Sequence, residues 1–335
     1  MNKEKITIIR TAVGCLSAMT LINELRKRHV RVVGTDCNPL SAGLYLCDKS
    51  YIVPRGNDPK FLSEMLRICD IEKPCAIISG PEEEVLVLSK NKPLFEEKNV
   101  LVLCPDYDTV KICVDKLETH NVFRKYHIPT PKIYEIDKVE FPCIVKPRFG
   151  RGGKSVFKVD NMEELRLYVK KVDNPIIQEF INGIEYTIDI FADLKGKPLS
   201  IVPRIRLQVE SGISVKAMTI YDEEIINYCR RIVEKLKLIG PACIQCIRDE
   251  KDGTIKFTEI NPRFGGGSIL SIKADPTIIT NLIRIIRNDE PIQSTGFREG
   301  LIMLRYYSEI FLPADNNVLG YYKKRSERRY ESRTF

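Results

Sequence analysis

Short apolar runs alternate with amphipathic stretches through the first hundred residues, and this alternation restricts the fold more than any other feature of the sequence. The strand-like runs are "KITIIR", "VRVVGTD", "PCAIISG" and "NVLVLC". The stretches "SAMTLINELRKR", "PKFLSEMLRICD" and "VLVLSKNKPLFEEK" have helical spacing. Such alternation is typical of a parallel sheet with helices on its faces. We therefore expect residues 1–112 to form one Rossmann-like domain.

A dinucleotide site is the first alternative for such a domain, and the sequence argues against it. Asp36 ends the second strand as a ribose-binding acid would, but the first turn, "RTAVGCLSAM", carries Gly14 alone. The G-x-G-x-x-G fingerprint that brings backbone close to a pyrophosphate is missing. We expect a scaffold whose strand-end loops face a shared cleft, and the acids at 82–84 suit a helix start.

The pattern changes after this domain. "DKLETHNVFRKYHIPTPKIYEI" predicts a helical stretch that two prolines end, and residues 141–181 suggest a small α+β unit. Beyond residue 184 the strands lengthen, and "EKDG" joins "PACIQCIRD" to "TIKFTEI" as a hairpin. We predict a linker helix with a small subdomain over 113–183, a large subdomain over 184–312, and a basic tail over 313–335.

Composition limits the classes of partner. The segment "YYKKRSERRYESRTF" holds six Lys and Arg against two Glu and so supplies half of the net charge of +8. We interpret it as a solvated tail and expect no nucleic-acid partner. No apolar run is long enough to span a bilayer and the N-terminus lacks a signal-peptide core. We expect a cytoplasmic protein without a membrane partner.

Cysteine and histidine do not indicate a metal or redox site. The eleven cysteines lie mostly in apolar runs, as small buried residues of a reducing compartment do. Cys243 and Cys246 form a CxxC spacing, but on a strand their thiols would point to opposite faces. The three histidines occupy unrelated contexts.

The stretch "IVKPRFGRGGKSV" combines a strand end, a glycine loop and several cations. Lys146 ends the apolar strand, and the loop "GRGGKS" adds Arg151 and Lys154. Glycines let backbone N–H groups reach phosphate oxygens, and the cations compensate phosphate charge. Arg148 stands where a Walker P-loop would need glycine, so we predict phosphate contact by another kind of loop; a plain glycine hairpin is the alternative.

Two acids flank the short connection "FING" in "IIQEFINGIEYTIDIF". Backbone groups after Glu179 would suit the edge of an adenine, and Glu185 would accept from ribose hydroxyls. Solvated loop glutamates are the alternative interpretation.

A third polar group lies in "ACIQCIRDEKDGTIKFTEINPRFGGGS". The hairpin brings Gln245 opposite the end of the second strand, where Glu259 and Asn261 share a face because they are two residues apart. A carboxylate with amide oxygens suits Mg²⁺, whose octahedron phosphates and water complete. Arg263, just beyond, could neutralise a phosphoryl group in transfer. A turn that merely ends the strand is the alternative, and it leaves the acid unexplained.

In this order and spacing, "CIVKPRFGRGGKSV", "QEFINGIEYTIDI" and "FTEINPRFGGGS" resemble the ATP-grasp superfamily, and most of all its carbamoyl-phosphate-synthase-like branch. "VVGTDCNPLSAGLYLCDKSYIVP" and "CVDKLETHNVFRKYHIPTPK" resemble that branch's first domain and linker. The resemblance covers about residues 5–310. It implies an α/β chain, with a parallel-sheet pre-ATP-grasp domain before a two-subdomain α+β ATP-grasp fold, and a homodimer.

The resemblance also implies roles for single residues. The nucleotide contacts would be Lys116, Lys146, Gly150, Arg151, Gly152, Gly153, Lys154, Ser155, Glu179, Phe180, Ile181 and Glu185. Among these, Lys146 would meet the α- and β-phosphates, the loop 150–155 would close over the phosphates, 179–181 would hold adenine, and Glu185 would hold ribose. Glu259 and Asn261 would bind Mg²⁺ or Mn²⁺ with Gln245 beside them, and Arg263 would face the transferred phosphate.

The resemblance implies an ADP-forming ligase that joins a small-molecule carboxylate to an amine, amino-acid or peptide-like, through an acylphosphate. Arg204 and Arg206, on one strand face, could clamp a substrate carboxylate; an exposed basic strand is the alternative. Gln245 stands where many members carry a second acid, and the chain has one unit where carbamoyl-phosphate synthesis resembles a tandem of two. A nucleotide-binding partner of a larger synthetase therefore remains the alternative function.

Overall fold

A computed structural model describes residues 6–150, 152–210 and 212–313 of the chain. Its first unit is a five-stranded, wholly parallel sheet with strand order β3-β2-β1-β4-β5. The elements are β1 (Thr7–Thr11), α1 (Leu16–Arg26), β2 (Arg31–Asp36), β3 (Lys49–Ile52), α2 (Phe61–Glu72), β4 (Ala76–Ile78), α3 (Glu82–Lys90), α4 (Lys92–Glu96) and β5 (Leu101–Val102). The predicted parallel-sheet domain is confirmed.

One helix of this domain differs from its prediction. The stretch "VLVLSKNKPLFEEK" forms two helices, α3 and α4, separated at Asn91. Pro93 lies in the first turn of α4. Proline has no N–H for the bond that a continuous helix would need there, whereas the first turn of a new helix tolerates it.

Two helices lead into a small antiparallel sheet with order β6-β9-β7-β8. The elements are α5 (Tyr107–Val114), α6 (Lys116–Lys125), β6 (Ile133–Tyr134), β7 (Cys143–Pro147), β8 (Phe157–Val159), α7 (Met162–Lys171) and β9 (Pro175–Glu179). The predicted helical stretch forms α6, which ends at Lys125, shortly before the two prolines that were predicted to end it. Beyond these prolines, Ile133 and Tyr134 pair with β9. The helix α5 was not predicted.

The large subdomain is a six-stranded antiparallel sheet with order β14-β13-β10-β11-β12-β15. Its elements are β10 (Gly183–Ala192), β11 (Pro198–Glu210), β12 (Ile213–Thr219), α8 (Glu223–Leu236), β13 (Gly240–Asp249), β14 (Ile255–Asn261), α9 (Ser268–Ala274), α10 (Thr277–Ile286) and β15 (Ile302–Leu304). The β13–β14 hairpin is confirmed. The helix α9 was not predicted.

Side-chain alternation gives the large sheet two different faces. Ile188 and Ile190 of β10 pack with α8 and with Phe123 of α6 in one apolar core. On the opposite face, Phe191 joins a second core that includes α1, α9 and α10. The N-terminal domain thus packs on this second face, where Lys273 of α9 binds Glu24 of α1 at 2.8 Å.

The closing strand is shorter than the predicted "GLIMLRYYSEI". Ile302 to Leu304 pair with β12, and Arg305 adds one backbone bond to Val215 at 3.1 Å. β12 is antiparallel to this strand and begins at Ile213, so few of its residues are left to pair with positions beyond Arg305. Tyr306 and Tyr307 are therefore 89% and 88% exposed. The predicted basic tail lies outside the described residues from position 314 onward.

All eleven cysteines are free thiols; seven of them are buried, as predicted for most, and only Cys37 is exposed. Cys243 faces the second side of the large sheet while Cys246 packs in the core with α8, as opposite faces require. Within the described ranges, no helix is long and apolar enough to cross a membrane.

Candidate active site

Four neighbouring strands of the large sheet place one row of polar side chains on the same face. The register pairs Arg204 of β11 with Thr187 of β10, Thr187 with Gln245 of β13, and Gln245 with Glu259 of β14. Asn261 lies two residues further along β14 and therefore on the same face. The row combines a guanidinium group, a hydroxyl, an amide and a carboxylate.

Two cavities meet at this row, each of about 590 Å³. The first, here the interdomain cleft, lies between the row and the strand-end loops of the N-terminal domain. The second, here the subdomain cavity, lies between the small and large sheets. Their shared wall consists of Pro147, Gly150, Gly152, Lys154, Arg206, Gly212, Gln245 and Glu259. The two cavities are therefore adjacent, with the glycine loop and Glu259 at their boundary.

Two lysines predicted to contact nucleotide lie in the subdomain cavity. Lys146 ends β7 and is 8% exposed. Its burial lowers the pKa from 10.5 to about 8, against the opposing field of the Glu259 carboxylate and with a smaller contribution from Lys116. Lys116 begins α6, and its Nζ donates to the carbonyl of Gly150 at 2.6 Å. Both ammonium groups therefore stand next to the glycine loop.

The glycine loop lies over the shared wall in a backbone conformation that explains its composition. Gly150, Gly152 and Gly153 have φ values of 118°, 71° and 65°, and Ser155 has 57°. The left-handed region favours glycine because a side chain is strained there. Lys154 lines both cavities, Gly153 the subdomain cavity and Ser155 the interdomain cleft. Arg151, predicted within the loop, lies outside the described residues.

The loop rests directly on the β11–β12 turn. A Cβ on Gly212 would stand 2.6 Å from backbone atoms of Gly152, and Gly212 has a φ of 77°. No side chain fits between the two segments. Arg206 also holds this turn in place, because its Nη2 donates to the carbonyl of Gly212 at 2.9 Å.

The predicted adenine and ribose residues all line the subdomain cavity: Glu179, Phe180, Ile181 and Glu185. The Glu179 carboxylate is held by Lys256 Nζ at 2.6 Å and by the backbone N–H of Lys132 at 3.0 Å. The Glu179 carboxylate is thus engaged by protein groups. The Glu185 carboxylate binds Arg206.

The predicted metal residues form one oxygen-rich group. Asn261 Nδ2 donates to Glu259 Oε1 at 2.8 Å, and Gln245 pairs with Glu259 across the strands. Among the residues that the structure describes, no cluster of three or more His, Cys, Asp or Glu could hold a metal. One carboxylate with two amides fits Mg²⁺ or Mn²⁺ only when phosphate oxygens complete the shell.

Arg263 lies beside this group, on the side of the interdomain cleft. Its Nη2 donates to Asn261 Oδ1 at 3.0 Å and is 3.6 Å from Glu82 Oε1 at the start of α3. The acids at 82–84 do begin a helix, as predicted, and one of them also reaches the site. Arg263 therefore connects the large sheet to the N-terminal domain.

Both arginines of the predicted carboxylate clamp form hydrogen bonds with other groups of the protein. Arg204 is 2% exposed and donates through Nε to Asp189 at 2.8 Å and through Nη1 to Ser214 at 3.2 Å. Arg206 binds Glu185 and Gly212. Both line the interdomain cleft, and their role in substrate binding stays a prediction.

Buried Asp189 is a site residue that the sequence patterns did not indicate. Its carboxylate accepts from Ser268 and Ser271 of α9, each at 2.6 Å, and from Arg204. This network fixes the segment Gly265–Gly267, where a Cβ on Gly267 would stand 2.7 Å from the Arg204 guanidinium. An acid inside the apolar strand "EYTIDIFAD" was the available signal, since buried charges need partners.

Comparison with known proteins agrees with this geometry. Residues 113–267 match the ATP-grasp domain family, and residues 11–103 match the PylC-like N-terminal domain family. The carbamoyl phosphate synthase large chain of Clostridium perfringens is 26% identical over 306 residues, which are 83% of this chain and 28% of that protein. The chain spans less than half the length of the curated relatives it matches.

Two solved structures share the fold. The biotin carboxylase domain of Hydrogenobacter thermophilus 2-oxoglutarate carboxylase, a complex with MgADP, ADP and bicarbonate, has a TM-score of 0.70 and 16% identity, covering 90% of this chain and 74% of that chain. The L-amino acid ligase of Bacillus licheniformis has a TM-score of 0.67 and 20% identity, covering 85% and 75%. The chain therefore joins a PylC-like N-terminal domain to a single ATP-grasp domain.

Proposed function

We propose that this protein is an ATP- and Mg²⁺-dependent ligase that joins a carboxylate to an amine through an acylphosphate and releases ADP. The observation that carries the proposal is the shared wall between the two cavities. It places Glu259, Gln245 and the glycine loop between a cavity with the predicted nucleotide residues and a cleft that opens to the N-terminal domain. Such an arrangement serves transfer of a group from one ligand to another.

The subdomain cavity would hold the nucleotide. The backbone of Phe180 and Ile181 would face the adenine edge, Glu185 would accept from the ribose, and Lys146 and Lys116 would neutralise phosphate charge. Glu259 and Asn261, with Gln245 beside them, would hold Mg²⁺, which when bound neutralises phosphate charge during transfer. The chain's own contribution is positioning and charge compensation, which phosphoryl transfer chiefly needs.

The chemical steps would take place at the shared wall. A carboxylate oxygen of the acceptor attacks the γ-phosphorus, the bond to the ADP oxygen breaks, and Arg263 compensates the phosphate charge from the cleft side. An amine then attacks the acyl carbon, phosphate leaves with the bonding electrons, and the nitrogen loses a proton. The loop 150–155, seated on Gly212, would keep water from the labile acylphosphate.

Release of ADP tests the proposal. With Mg²⁺ and ATP, we expect release to rise when one carboxylate and one amine from pools of amino acids are present together. Glu259→Ala should lower this release by about a hundredfold or more, because a ligand to the metal is lost. Glu234→Ala, an exposed position on α8, serves as the control and should match the unmodified protein. Full Mg²⁺-dependent turnover by Glu259→Ala would contradict the site.

The second candidate is a nucleotide-binding partner of a larger synthetase. It is favoured by the length of the relatives, since the chain matches only 28% of the large chain of one carbamoyl phosphate synthase. Tight ATP binding without stimulation by any pool would support this candidate against the ligase.

A further inference from the structure

The last strand of the large sheet, β15, has one open edge. It is the outermost strand in the order of the sheet, and β12 is its one neighbour among the described residues. Leu301 and Arg305, on either side of β15, form backbone bonds to β12 at 3.0 and 3.1 Å. Because backbone groups alternate along an antiparallel strand, those of Ile302 and Leu304 point away from β12. No backbone group in the described part of the chain pairs with them.

This open edge is apolar, and so is the chain that follows it. Ile302 and Leu304 are 55% and 68% exposed. The next residues belong to no sheet, and their large apolar side chains are exposed as well: Tyr306, Tyr307, Ile310, Phe311 and Leu312. Folded proteins seldom leave a long apolar strand edge uncovered, because such an edge pairs readily with another strand. Residues 302–312, here the edge segment, therefore favour a partner strand.

The alternation of backbone groups restricts the register of a partner strand. At β15, the even-numbered residues present N–H and C=O groups to the open edge, and the odd-numbered ones bond to β12. If two copies of the edge segment pair antiparallel, even-numbered residues must therefore lie opposite even-numbered residues. Registers that place even opposite odd would direct open backbone groups at groups already bonded to β12.

One of the permitted registers pairs opposite charges. With Tyr307 opposite the partner's Tyr307, Arg305 lies opposite the partner's Glu309. Apolar residues then pair with apolar ones: Leu304 with the partner's Ile310, Met303 with the partner's Phe311, and Ile302 with the partner's Leu312. Such cross-strand pairs are the unit of sheet stabilisation. A shift of one permitted step in either direction would place Arg305 opposite an aromatic residue instead. The edge segment is thus complementary to itself in a single register.

Arg305 supplies an independent indication that a carboxylate is missing from the single chain. Its side chain is partly buried, and its burial, together with the charge of Arg204, lowers its pKa. It donates to the carbonyl of Ser214 at 3.0 Å and to that of Gly266, but it forms no ion pair with any described residue. Glu309 is exposed and likewise has no ion pair within the described ranges. A partly buried charge favours a counter-ion, which the second copy would supply.

We propose that the edge segment is the interface between two copies of this chain, which pair antiparallel about a two-fold axis at Tyr307. The resemblance given above implies a homodimer but specifies no surface, no register and no residue that crosses between the copies. The pairing would join two six-stranded sheets into one. The partner's Glu309 would stand behind the wall of the interdomain cleft, because Arg305 holds the carbonyls of two cleft residues, Ser214 and Gly266. The pairing does not depend on the proposed ligase activity.

Cysteine substitutions in the full chain test the register. In Tyr307→Cys the two introduced thiols would face each other across the axis, with Cα atoms about 4.5 Å apart, which suits a disulfide. In Phe311→Cys, at a position of similar exposure, they would lie about 26 Å apart along the paired strands. We expect mild oxidation to cross-link Tyr307→Cys about tenfold or more faster than Phe311→Cys. The unmodified protein, with Cys37 as its exposed thiol, gives the background. Equal rates would overturn the register.

Two variants of Leu304 test the backbone pairing. Leu304→Pro removes an N–H that points to the open edge, so the bonds to β12 remain. Leu304→Ala keeps that N–H and shortens the side chain. In sedimentation over about 1 to 100 µM, we expect the unmodified chain to dimerise and the proline variant to dissociate about tenfold more readily than the alanine variant. Equal dissociation constants would overturn the proposal. If the proline variant melts lower than the alanine variant, the cross-linking rates decide.

Glu309→Arg tests the charge pair. It places like charges opposite each other and should weaken the dimer about tenfold, whereas Glu234→Arg adds the same charge on the exposed face of α8 and should not. Equal effects of the two would refute the pairing of Arg305 with the partner's Glu309. A chain that stays monomeric throughout would overturn the whole proposal. Hydrogen exchange at Ile302 and Leu304 would then identify the actual cover: slow exchange would mean another segment of the same chain, and fast exchange an edge open to a different protein.

Discussion

Arg148 and Asp115 form a two-bonded pair that joins the end of β7 to the helix carrying Lys116. Arg148 donates through Nε to Asp115 Oδ1 at 2.7 Å and through Nη2 to Oδ2 at 2.6 Å. Asp115 also caps α6 by accepting from the N–H groups of Leu117 and Glu118. The Asp115 carboxylate thus links the segment after Lys146 to the start of the helix that carries Lys116, the two lysines predicted to contact nucleotide.

Asp115→Ala should therefore weaken stability and nucleotide binding together. Loss of the cap and of the paired arginine should lower the free energy of unfolding by about 1–3 kcal/mol, and ADP should bind more weakly because Lys116 is no longer anchored. Asp115→Asn keeps the cap without the charge, so its unfolding free energy should fall less. Urea unfolding and ADP titration measure the two effects. Unchanged ADP affinity in the alanine variant would contradict the coupling.

Binding of ADP should decrease above about pH 8. Lys146 must be charged to neutralise phosphate, and its burial lowers the pKa to about 8, so protons must be taken up on binding at higher pH. The dissociation constant should rise by up to about tenfold per pH unit above that value. Lys146→Met, which has no charge to lose, should bind weakly and with little change between pH 7 and 9. A flat profile for the unmodified protein would refute the role of this lysine.

Gly212→Ala should impair closure of the glycine loop. Gly212 and Gly253 have similar φ values, 77° and 73°. A Cβ at Gly212 would stand 2.6 Å from the backbone of Gly152, whereas a Cβ at Gly253 would have no atom within 4 Å. Both alanine variants should lose about 1 kcal/mol of stability from backbone strain. Only Gly212→Ala should also raise the KM for ATP in the ADP-release assay. Equal KM values for the two variants would show that the contact does not matter.

Glu84→Gln should become more stable than the unmodified protein as the pH rises. The folded-state pKa of Glu84 is raised from 4.5 to about 7, so its favourable contribution is complete below pH 4.5 and is lost as the pH rises through 7. One pKa unit corresponds to about 1.4 kcal/mol, so we expect a difference of about 1–3 kcal/mol between pH 5 and pH 8. Glutamine keeps an oxygen for the Thr11 hydroxyl. Urea unfolding at both pH values measures this difference, and Glu234→Gln serves as an exposed control. The absence of such a difference for Glu84→Gln would show that Glu84 stays charged.

Much of the fold could be predicted because it depends on local patterns. Alternating strands and helices identified the parallel sheet, and "EKDG" between apolar runs identified the hairpin. The helices α5 and α9 were missed because a helix of eight or seven residues has little intrinsic stability and forms through its packing. In α9, that packing includes the bonds of Ser268 and Ser271 to Asp189, which lies about eighty positions away.

By itself the sequence determined which residues of one strand share a face, since a period of two places Glu259 and Asn261 side by side. It also indicated the glycine loop and the lysine before it. Only the tertiary structure decided that Arg204 and Thr187 stand in one row with Gln245 and Glu259, and that Asp36 of the first domain lines the same cleft. The physical reason is that strand register and domain packing depend on contacts between distant segments, and a one-residue change of register would turn the row to the opposite face.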